Sequence, residues 1–106
     1  MAERFEVWLV ALEPTQGAEI GKTRPAVVVS PDDANQHLRT VIVSPLTSRR
    51  RAWPTRIPVV FARTRGDVAL DRMRAVDKRR LVKRLGALKP AEREAVLDAL
   101  ARMFAP

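Results

Sequence analysis

Five polar side chains lie at or beside the ends of the strands that the sequence predicts: Glu19, Arg24, Thr47, Ser48 and Asp71. If the strand after Arg24 pairs with the strand that ends at Thr47, the two ends are adjacent in an antiparallel pair. A guanidinium and a hydroxyl at one rim hold a phosphate oxygen well, with Glu19 reaching in from the preceding loop. The alternative is a surface ion pair of Arg24 and Glu19, worth under about 1 kcal/mol, beside a threonine that closes a turn.

Most other chemistries lack the residues that they need. The chain has no cysteine and a single histidine, His37, in a stretch that predicts a polar loop. It contains no Ser-His-Asp set, no cluster with metal-ligand spacing and no Gly-Lys-Ser/Thr phosphate loop. His37 is either an acid or base or a bystander. The inventory predicts a mechanism with no metal and no cofactor.

The net charge of +8 is concentrated in one segment of the chain. Residues 49–89 hold 14 Lys and Arg against 3 Asp and Glu, whereas residues 1–48 and 90–106 are slightly acidic. So dense a basic segment indicates either a surface that binds a polyanion such as nucleic acid or a solvated basic surface.

The stretch "SRRRAWPTR" supplies the candidates for binding RNA, namely Arg49, Arg50, Arg51, Trp53 and Arg56. Arginines follow a phosphate backbone, and an indole that stacks on an unpaired base contributes roughly 1–3 kcal/mol. The alternative for Trp53 is a loop anchor packed against the fold. Trp8 differs because it lies in an apolar run, which predicts a place in the core or in a dimer interface.

The elements that position these side chains are mostly short strands, predicted at residues 5–12, 26–30, 40–43, 57–61 and 68–70. Nothing between them has the length and periodicity of a crossover helix, so the strands are antiparallel. Only Glu6 interrupts the apolar run 5–12, which predicts that both faces of this strand are covered. A curled sheet or partly open barrel covers one face, and a helix or a second copy of the protein covers the other.

A helix is predicted from Pro90, with Glu92 and Glu94 in its first turn and no capping side chain at Lys89. Its apolar stripe comprises Val96, Leu97, Leu100, Met103 and Phe104. The segment "DKRRLVKRL" is typical of a short helical turn followed by an edge strand. We expect one mainly β domain over residues 1–106, soluble and cytoplasmic, because no run approaches the roughly 18 apolar residues of a membrane span.

Three stretches in order, "VWLVALEPTQGAEIGKTRPAVVVSP", "VIVSPLTS" and "GDVALDRMRAVDKRRLVKRLGAL", resemble the MazF/PemK family of toxin ribonucleases. The resemblance implies a small SH3-like antiparallel β-barrel with a C-terminal α-helix, paired as a homodimer that covers the second apolar face. It also implies metal-independent cleavage of single-stranded RNA by attack of the 2′-hydroxyl, which leaves a 2′,3′-cyclic phosphate and a 5′-hydroxyl. The implied partner is an antitoxin with an acidic, partly disordered tail.

By the same resemblance, Arg24 and Thr47 match active positions, with Arg24 clamping the phosphate and Thr47 orienting one of its oxygens, assisted by Ser48. Glu19 becomes the candidate general base. Some family members carry a histidine and an arginine where this chain has Ala18 and Ala69.

A mechanism that depends on an Asp–Arg pair is therefore not available unchanged, and Asp71 either supports catalysis or braces Arg24 or nearby backbone. Two rival functions remain: a toxin of the same fold that poisons DNA gyrase without catalysis, and a barrel that binds RNA without cutting it.

Overall fold

The computed structural model describes residues 2–12 and 23–106, which form seven strands, two α-helices and two 3₁₀ turns. The strands are β1 (Glu6–Ala11), β2 (Thr23–Val28), β3 (Thr40–Thr47), β4 (Arg56–Phe61), β5 (Thr64–Ala69), β6 (Arg74–Asp77) and β7 (Leu81–Ala87). The helices are α1 (Asp32–His37) and α2 (Pro90–Met103), and the 3₁₀ turns are Leu70–Arg72 and Lys78–Arg80. Within the described ranges, no helix has the length and apolarity needed to span a membrane.

All strand pairs are antiparallel, in the order β4-β5-β3-β2-β1-β7, with β6 alongside β3. The central strand β3 changes partner along its length. Its first half pairs with β6, whereas Leu46 and Thr47 pair with β5. The sheet therefore curls at this point, as the sequence predicts. The exchange of partners brings the start of β2, the end of β3 and the end of β5 to one place.

Two hydrophobic cores lie on opposite faces of β1 and β2. One contains Val7 and Val27 and is closed by β4, β5 and α2. The other contains Val10 and Val28 and fills the curl of the sheet against β3 and β6. All four of these valines are 0% exposed. The prediction that both faces are covered is confirmed, and of the two alternatives for the second face the helix α2 covers it.

Helix α2 begins at Pro90 as predicted, and its first turn is capped from inside the helix. The Lys89 amide donates to Glu92 Oε1 at 2.9 Å, while Glu92 Oε2 accepts from the Val60 amide at 2.9 Å. Glu92 therefore caps the helix and also satisfies an amide on the edge strand β4.

The apolar stripe of α2 is narrower than predicted. Val96 and Ala99 are buried, and Leu100 and Met103 pack against the core beside them. Leu97 and Phe104 are 37% and 72% exposed, so the prediction was wrong for these two residues. Leu97 lies about 100° around the helix axis from the buried Val96, and Phe104 lies after the last helical residue, Met103.

Two elements differ from the sequence prediction. Residues 32–37 form the short helix α1 rather than a loop, and a buried hydrogen bond from the Ser30 hydroxyl to Asn35 ties this helix to the end of β2. His37 is exposed in the last turn of α1. Strand β6 was not predicted, because its four residues, Arg74–Asp77, include two charged side chains. The prediction for "DKRRLVKRL" is confirmed as the turn Lys78–Arg80 followed by β7 at the sheet edge.

Candidate active site

A polar cavity of about 250 Å³ opens where β2 begins and β3 ends. We call it the arginine cavity, and it is lined by Leu12, Arg24, Pro45, Leu46, Thr47, Ala69, Arg72 and Arg74. Arg24 and Thr47, which the sequence predicts at one rim, both contribute to its wall. The position of Ala69 in this wall shows that the departure from some family members falls inside the site.

The register of the sheet explains why Arg24 and Thr47 share this cavity. Ala26 of β2 lies opposite Pro45 of β3. Continued by two residues, the same antiparallel register brings Arg24 opposite Thr47. Residues directly opposite each other project from the same face of a sheet. Arg24 pairs with the buried Val10 of β1, so its backbone is held by β1 while its side chain is exposed.

Local contacts orient the Thr47 hydroxyl and fix its backbone. Thr47 Oγ1 accepts a hydrogen bond from the Arg49 amide at 3.1 Å, so the hydroxyl proton is left for another acceptor. On the neighbouring strand, a Cβ placed on Gly66 would lie 2.6 Å from the Thr47 carbonyl oxygen. Gly66 thus permits the close approach of β5 that supports the end of β3.

Arg24, Arg72 and Arg74 together make the cavity strongly electropositive. Arg74 donates from Nη1 to the Leu12 carbonyl at 2.6 Å, which anchors its guanidinium and leaves other N–H groups unused. Among residues 2–12 and 23–106, no carboxylate forms an ion pair with any of the three. An anion with several oxygens is the ligand that this wall favours.

Arg72 and Arg74 were missed in the sequence, although the basic segment 49–89 contains both. The charge count predicts a basic surface but does not show which of its arginines line the same cavity. That depends on the 3₁₀ turn Leu70–Arg72, which separates β5 from β6 while both strands run in the same direction along β3.

Asp71 faces away from Arg24 and is committed to Arg56. Its carboxylate accepts from Arg56 Nε at 2.8 Å and Nη2 at 3.3 Å, and from the Thr55 hydroxyl at 2.9 Å. The hydrogen bond from Arg56 lowers the pKa of Asp71, and the same contact raises the pKa of Arg56. Arg56, a predicted RNA contact, has a side chain only 5% exposed. Asp71 thus contacts Arg56 rather than Arg24, and a part of Asp71 in catalysis stays a prediction.

The basic loop, residues 48–55, is organised by the buried carboxylate of Asp67. Asp67 lies opposite Thr47 in the sheet and is 1% exposed. Its Oδ2 accepts from the Arg51 amide at 2.8 Å, and Arg50 Nε lies 3.6 Å from Oδ1. Arg49, Arg50 and Arg51 thus follow directly from the cavity wall on an anchored backbone. Sequence reasoning missed Asp67 because nothing in its neighbourhood along the chain marks it as buried.

Trp53 is both anchored and accessible. The Arg56 guanidinium carbon lies 4.8 Å from the centroid of its ring, and that of Arg51 lies 5.8 Å away. The residue nevertheless remains 49% exposed. The indole is therefore held by the arginine that Asp71 braces, and it retains open surface beside the basic loop.

The remaining candidates lie elsewhere. Ser48 lines a neighbouring, mostly apolar cavity of about 460 Å³, which shares Leu46 and Thr47 with the arginine cavity. Glu19, the candidate base, lies outside the described residues. Within those residues, His, Asp and Glu side chains form no group of three or more that could hold a metal ion.

Trp8 packs against the core inside the curl, as its place in an apolar run suggests. Its indole donates to Glu6 Oε1 at 3.0 Å, and Arg84 donates to Glu6 Oε2 at 2.6 Å. Burial raises the pKa of Glu6, but the hydrogen bonds from the Glu3 amide, Arg84 and Trp8 outweigh it, and the pKa is lowered. This cluster ties β7 to β1 and is separate from the arginine cavity.

Several solved structures have the same fold as this chain. The chain is similar to an endoribonuclease solved in complex with its cognate antitoxin from a mycobacterial species, at 27% identity and a TM-score of 0.84, over 100% of this chain and 98% of that one. It is also similar to MazF from Deinococcus radiodurans, at 25% identity and a TM-score of 0.77, over 96% and 94% of the two chains. A MazE–MazF structure from the same organism matches at 26% identity and a TM-score of 0.79, over 96% and 94%.

The family model described as "PemK-like, MazF-like toxin of type II toxin-antitoxin system" matches residues 3–104. This range includes the arginine cavity, the basic loop and α2. The chain therefore belongs to the PemK-like, MazF-like family of toxins.

Proposed function

We propose that the protein is an endoribonuclease toxin that cuts single-stranded RNA without a metal ion. The observation that carries this proposal is that Arg24 and Thr47 line one cavity together with two more arginines. A phosphodiester is the polyanionic group that these donors match. Membership of the toxin family and the likeness to a solved endoribonuclease support the same activity.

In the proposed reaction, the ribose 2′-oxygen attacks the adjacent phosphorus and the bond to the 5′-oxygen breaks. The products are a 2′,3′-cyclic phosphate and a 5′-hydroxyl. Arg24 donates to the phosphate oxygens and stabilises the charge that builds up on them in the transition state. Thr47 donates its hydroxyl proton to one of these oxygens. Glu19 is our candidate for the base that accepts the 2′-hydroxyl proton, and solvent protonates the departing 5′-oxygen.

The partners follow from the charge and from the relatives. Residues 49–89 carry a net charge of +11, which suits both RNA and an acidic polypeptide. Solved relatives include toxins in complex with a cognate antitoxin. We therefore include in the proposal a homodimer that is neutralised by an antitoxin whose acidic, partly disordered tail covers the basic surface.

The test is to incubate the purified protein with a long single-stranded RNA in excess chelator and to map the new ends. We expect cyclic-phosphate ends, and we expect Arg24→Ala to lower the rate by about 100-fold or more, as loss of a transition-state donor does elsewhere. Arg39→Ala is the matched control, because Arg39 lies just before the start of β3, whereas Thr47 lies at its end.

Each failure of this test points to a different function. RNA that is bound but left intact would favour an RNA-binding barrel, whereas DNA gyrase trapped on DNA would favour the gyrase poison. Arg24→Ala should keep the melting temperature of the parent, since Arg24 is exposed at a strand start. Loss of folding in this variant would make Arg24 a structural residue and remove the main support for the proposal.

A further inference from the structure

We infer that the arginine cavity binds two consecutive phosphates of the RNA backbone, and that Arg72, with Arg74, holds the one next to the scissile phosphate. This inference deepens the proposed function and rests on it. It defines the substrate as a strand of at least three nucleotides rather than a single dinucleotide linkage. It also gives Arg72 a role in binding that nothing in the sequence assigns.

The first argument is the balance of charge. A bridging phosphodiester carries one negative charge, whereas Arg24, Arg72 and Arg74 bring three positive charges to one cavity. Guanidinium groups stay ionised at any pH at which the protein folds. Three such groups around one phosphate would leave two of them unmatched. In a polynucleotide, the nearest additional negative charge belongs to the neighbouring phosphate of the same strand.

The second argument is the separation of the three arginines along the fold. Arg24 belongs to β2 and lines the cavity with Thr47 at the end of β3, so we assign these two as one donor pair. Arg72 belongs to the 3₁₀ turn after β5, and Arg74 begins β6 beside Val43 of β3. The cavity wall therefore has a β2 side and a β6 side, each with its own cation. This is the arrangement that two phosphates in succession require.

The third argument is the opposite orientation of two adjacent residues. Asp71 turns to Arg56 and Thr55, away from the cavity, while Arg72 lines it. At this turn the carboxylate of Asp71 is therefore outside the cavity, and the guanidinium of Arg72 is part of its wall. Among the described residues, Arg72 takes part in no ion pair or hydrogen bond of its side chain. Arg74, by contrast, is anchored to the Leu12 carbonyl.

This difference makes Arg72 the cleaner residue to test. Removing Arg74 would also remove the hydrogen bond that joins β6 to the end of β1, so its effect would mix binding with folding. Removing Arg72 deletes an exposed side chain without a partner in the described part of the chain. We expect Arg72→Ala and Arg72→Gln to fold like the parent protein.

The experiment combines variants of the protein with neutral linkages in the RNA. The cut site of the parent protein is first mapped, and short RNAs spanning it are made with a single methylphosphonate at the linkage on either side of the cut. The value of kcat/KM is measured for each RNA with the parent, Arg72→Ala and Arg39→Ala. The same RNAs with a 2′-O-methyl group at the cut site give Kd without cleavage.

We expect the neutral linkage on one side to lower kcat/KM and to raise Kd by roughly tenfold for the parent, as for one lost charged contact. Arg72→Ala should lose a large part of this factor on unmodified RNA, and the neutral linkage should then lower its kcat/KM by less than it does for the parent, because only the contact of Arg74 is left to lose. Arg39→Ala should respond to the neutral linkage as the parent does. Equal sensitivity of Arg72→Ala and the parent at both flanking linkages would overturn the inference.

The Kd measurements separate this inference from the proposed function. If the parent protein cuts no RNA, the endoribonuclease proposal fails, and Kd for one short RNA with the methylphosphonate placed in turn at each linkage, measured with the parent and Arg72→Ala, still shows whether Arg72 contacts a phosphate. If RNA is cut but kcat/KM and Kd do not depend on the flanking linkages, the cavity takes one phosphate only. In that case the two-phosphate inference is wrong and the proposed function stands.

Discussion

At the scale of single residues, the candidate site depends on which partner each polar group has. Thr47 Oγ1 accepts a hydrogen bond from the Arg49 amide. The Asp71 carboxylate accepts one from Arg56, and the Asp67 carboxylate accepts one from the Arg51 amide. These contacts use the carboxylates for structure and leave Arg24 facing the cavity. Among the described residues, no carboxylate therefore lines the arginine cavity.

The hydroxyl of Thr47 is expected to act through one hydrogen bond to a phosphate oxygen. Thr47→Val keeps the shape of the side chain but removes this donor and the acceptor for the Arg49 amide. We expect kcat/KM on the mapped RNA to fall by about 10- to 100-fold, the range for a hydrogen bond to a charged group. Thr47→Ser, which retains the hydroxyl, should stay within a few-fold of the parent. Equal activity of the valine and serine variants would contradict the role.

The pair of Arg56 and Asp71 is expected to make stability depend on pH in the acid range. Because Arg56 lowers the folded-state pKa of Asp71 from its ordinary value of 3.8, the pair stabilises the fold above that value. This stability is lost as the pH falls through the lowered pKa. We expect Asp71→Asn to be less stable than the parent at neutral pH, with the difference shrinking in acid.

Urea denaturation of both proteins at a series of pH values provides the measurement. Unfolding is followed by tryptophan fluorescence. One of the two indoles, that of Trp53, contacts the Arg56 guanidinium that Asp71 holds. Asp98→Asn is the control: Asp98 pairs with Arg102 on the exposed face of α2. A difference between parent and Asp71→Asn that stays constant from neutral to acid pH would show that the pair does not act in this way.

At the scale of elements, the junction of β2, β3 and β5 creates the site. Strand β3 pairs with β6 along its first half and with β5 at Leu46 and Thr47. The turn Leu70–Arg72 then carries the chain from β5 to β6 across the open corner. The registers of β5 and β6 against β3 differ by three residues, so the chain between these two strands does not pair with β3, and the cavity lies beside this interruption.

Gly66 controls how closely β5 approaches this junction. A Cβ at Gly66 would lie 2.6 Å from the Thr47 carbonyl, a backbone atom that cannot move alone. We expect Gly66→Ala to cost about 1–3 kcal/mol of unfolding free energy through overpacking. We also expect it to lower kcat/KM by up to about 100-fold, because it displaces Thr47.

Gly86→Ala provides the matched control in the same sheet. Its Cβ would meet only the ring of Phe61, at 3.0 and 3.1 Å, and this side chain is able to shift. We expect Gly86→Ala to retain the activity of the parent after correction for any loss of folded protein. Comparable loss of kcat/KM in both glycine variants would show that the effect is not specific to Thr47.

At the scale of the whole molecule, we expect the distribution of charge to govern the proposed association with RNA. The basic segment meets the arginine cavity through the basic loop, which begins directly after Thr47 and is anchored by Asp67. A strand held in the cavity can therefore continue along Arg49 and Arg51. Binding should release counterions and depend steeply on salt.

We expect the double variant Arg49→Ala/Arg51→Ala to flatten the plot of log Kd against log salt for uncleavable RNA by about 1 to 1.5, since each lost contact to a single strand removes roughly 0.7. The matched control, Arg39→Ala/Arg79→Ala, has the same net charge as the test variant. The two arginines that it removes lie near the start of β3, at the other end of the strand from Thr47. Its slope should stay close to that of the parent. Equal slopes for the two double variants would mean that only total charge matters.

Much of the fold could be predicted from the sequence because the signals are local. The apolar runs predict strands, the lack of a crossover helix predicts antiparallel pairing, and Pro90 with Glu92 predicts the start of α2. Arg24 and Thr47 could be placed at one rim because neighbours along the chain usually pair. These inferences need only the order of the elements and the chemistry of each residue.

Tertiary structure alone decided which other groups face the arginine cavity. Arg72 and Asp71 are adjacent in sequence, yet one lines the cavity and the other braces Arg56. Asp67 is buried because β5 packs against the end of β3, which Gly66 permits. The sequence by itself determined the charges and most of the strands, whereas β6 and the direction of each side chain depended on long-range strand pairing that no local pattern encodes.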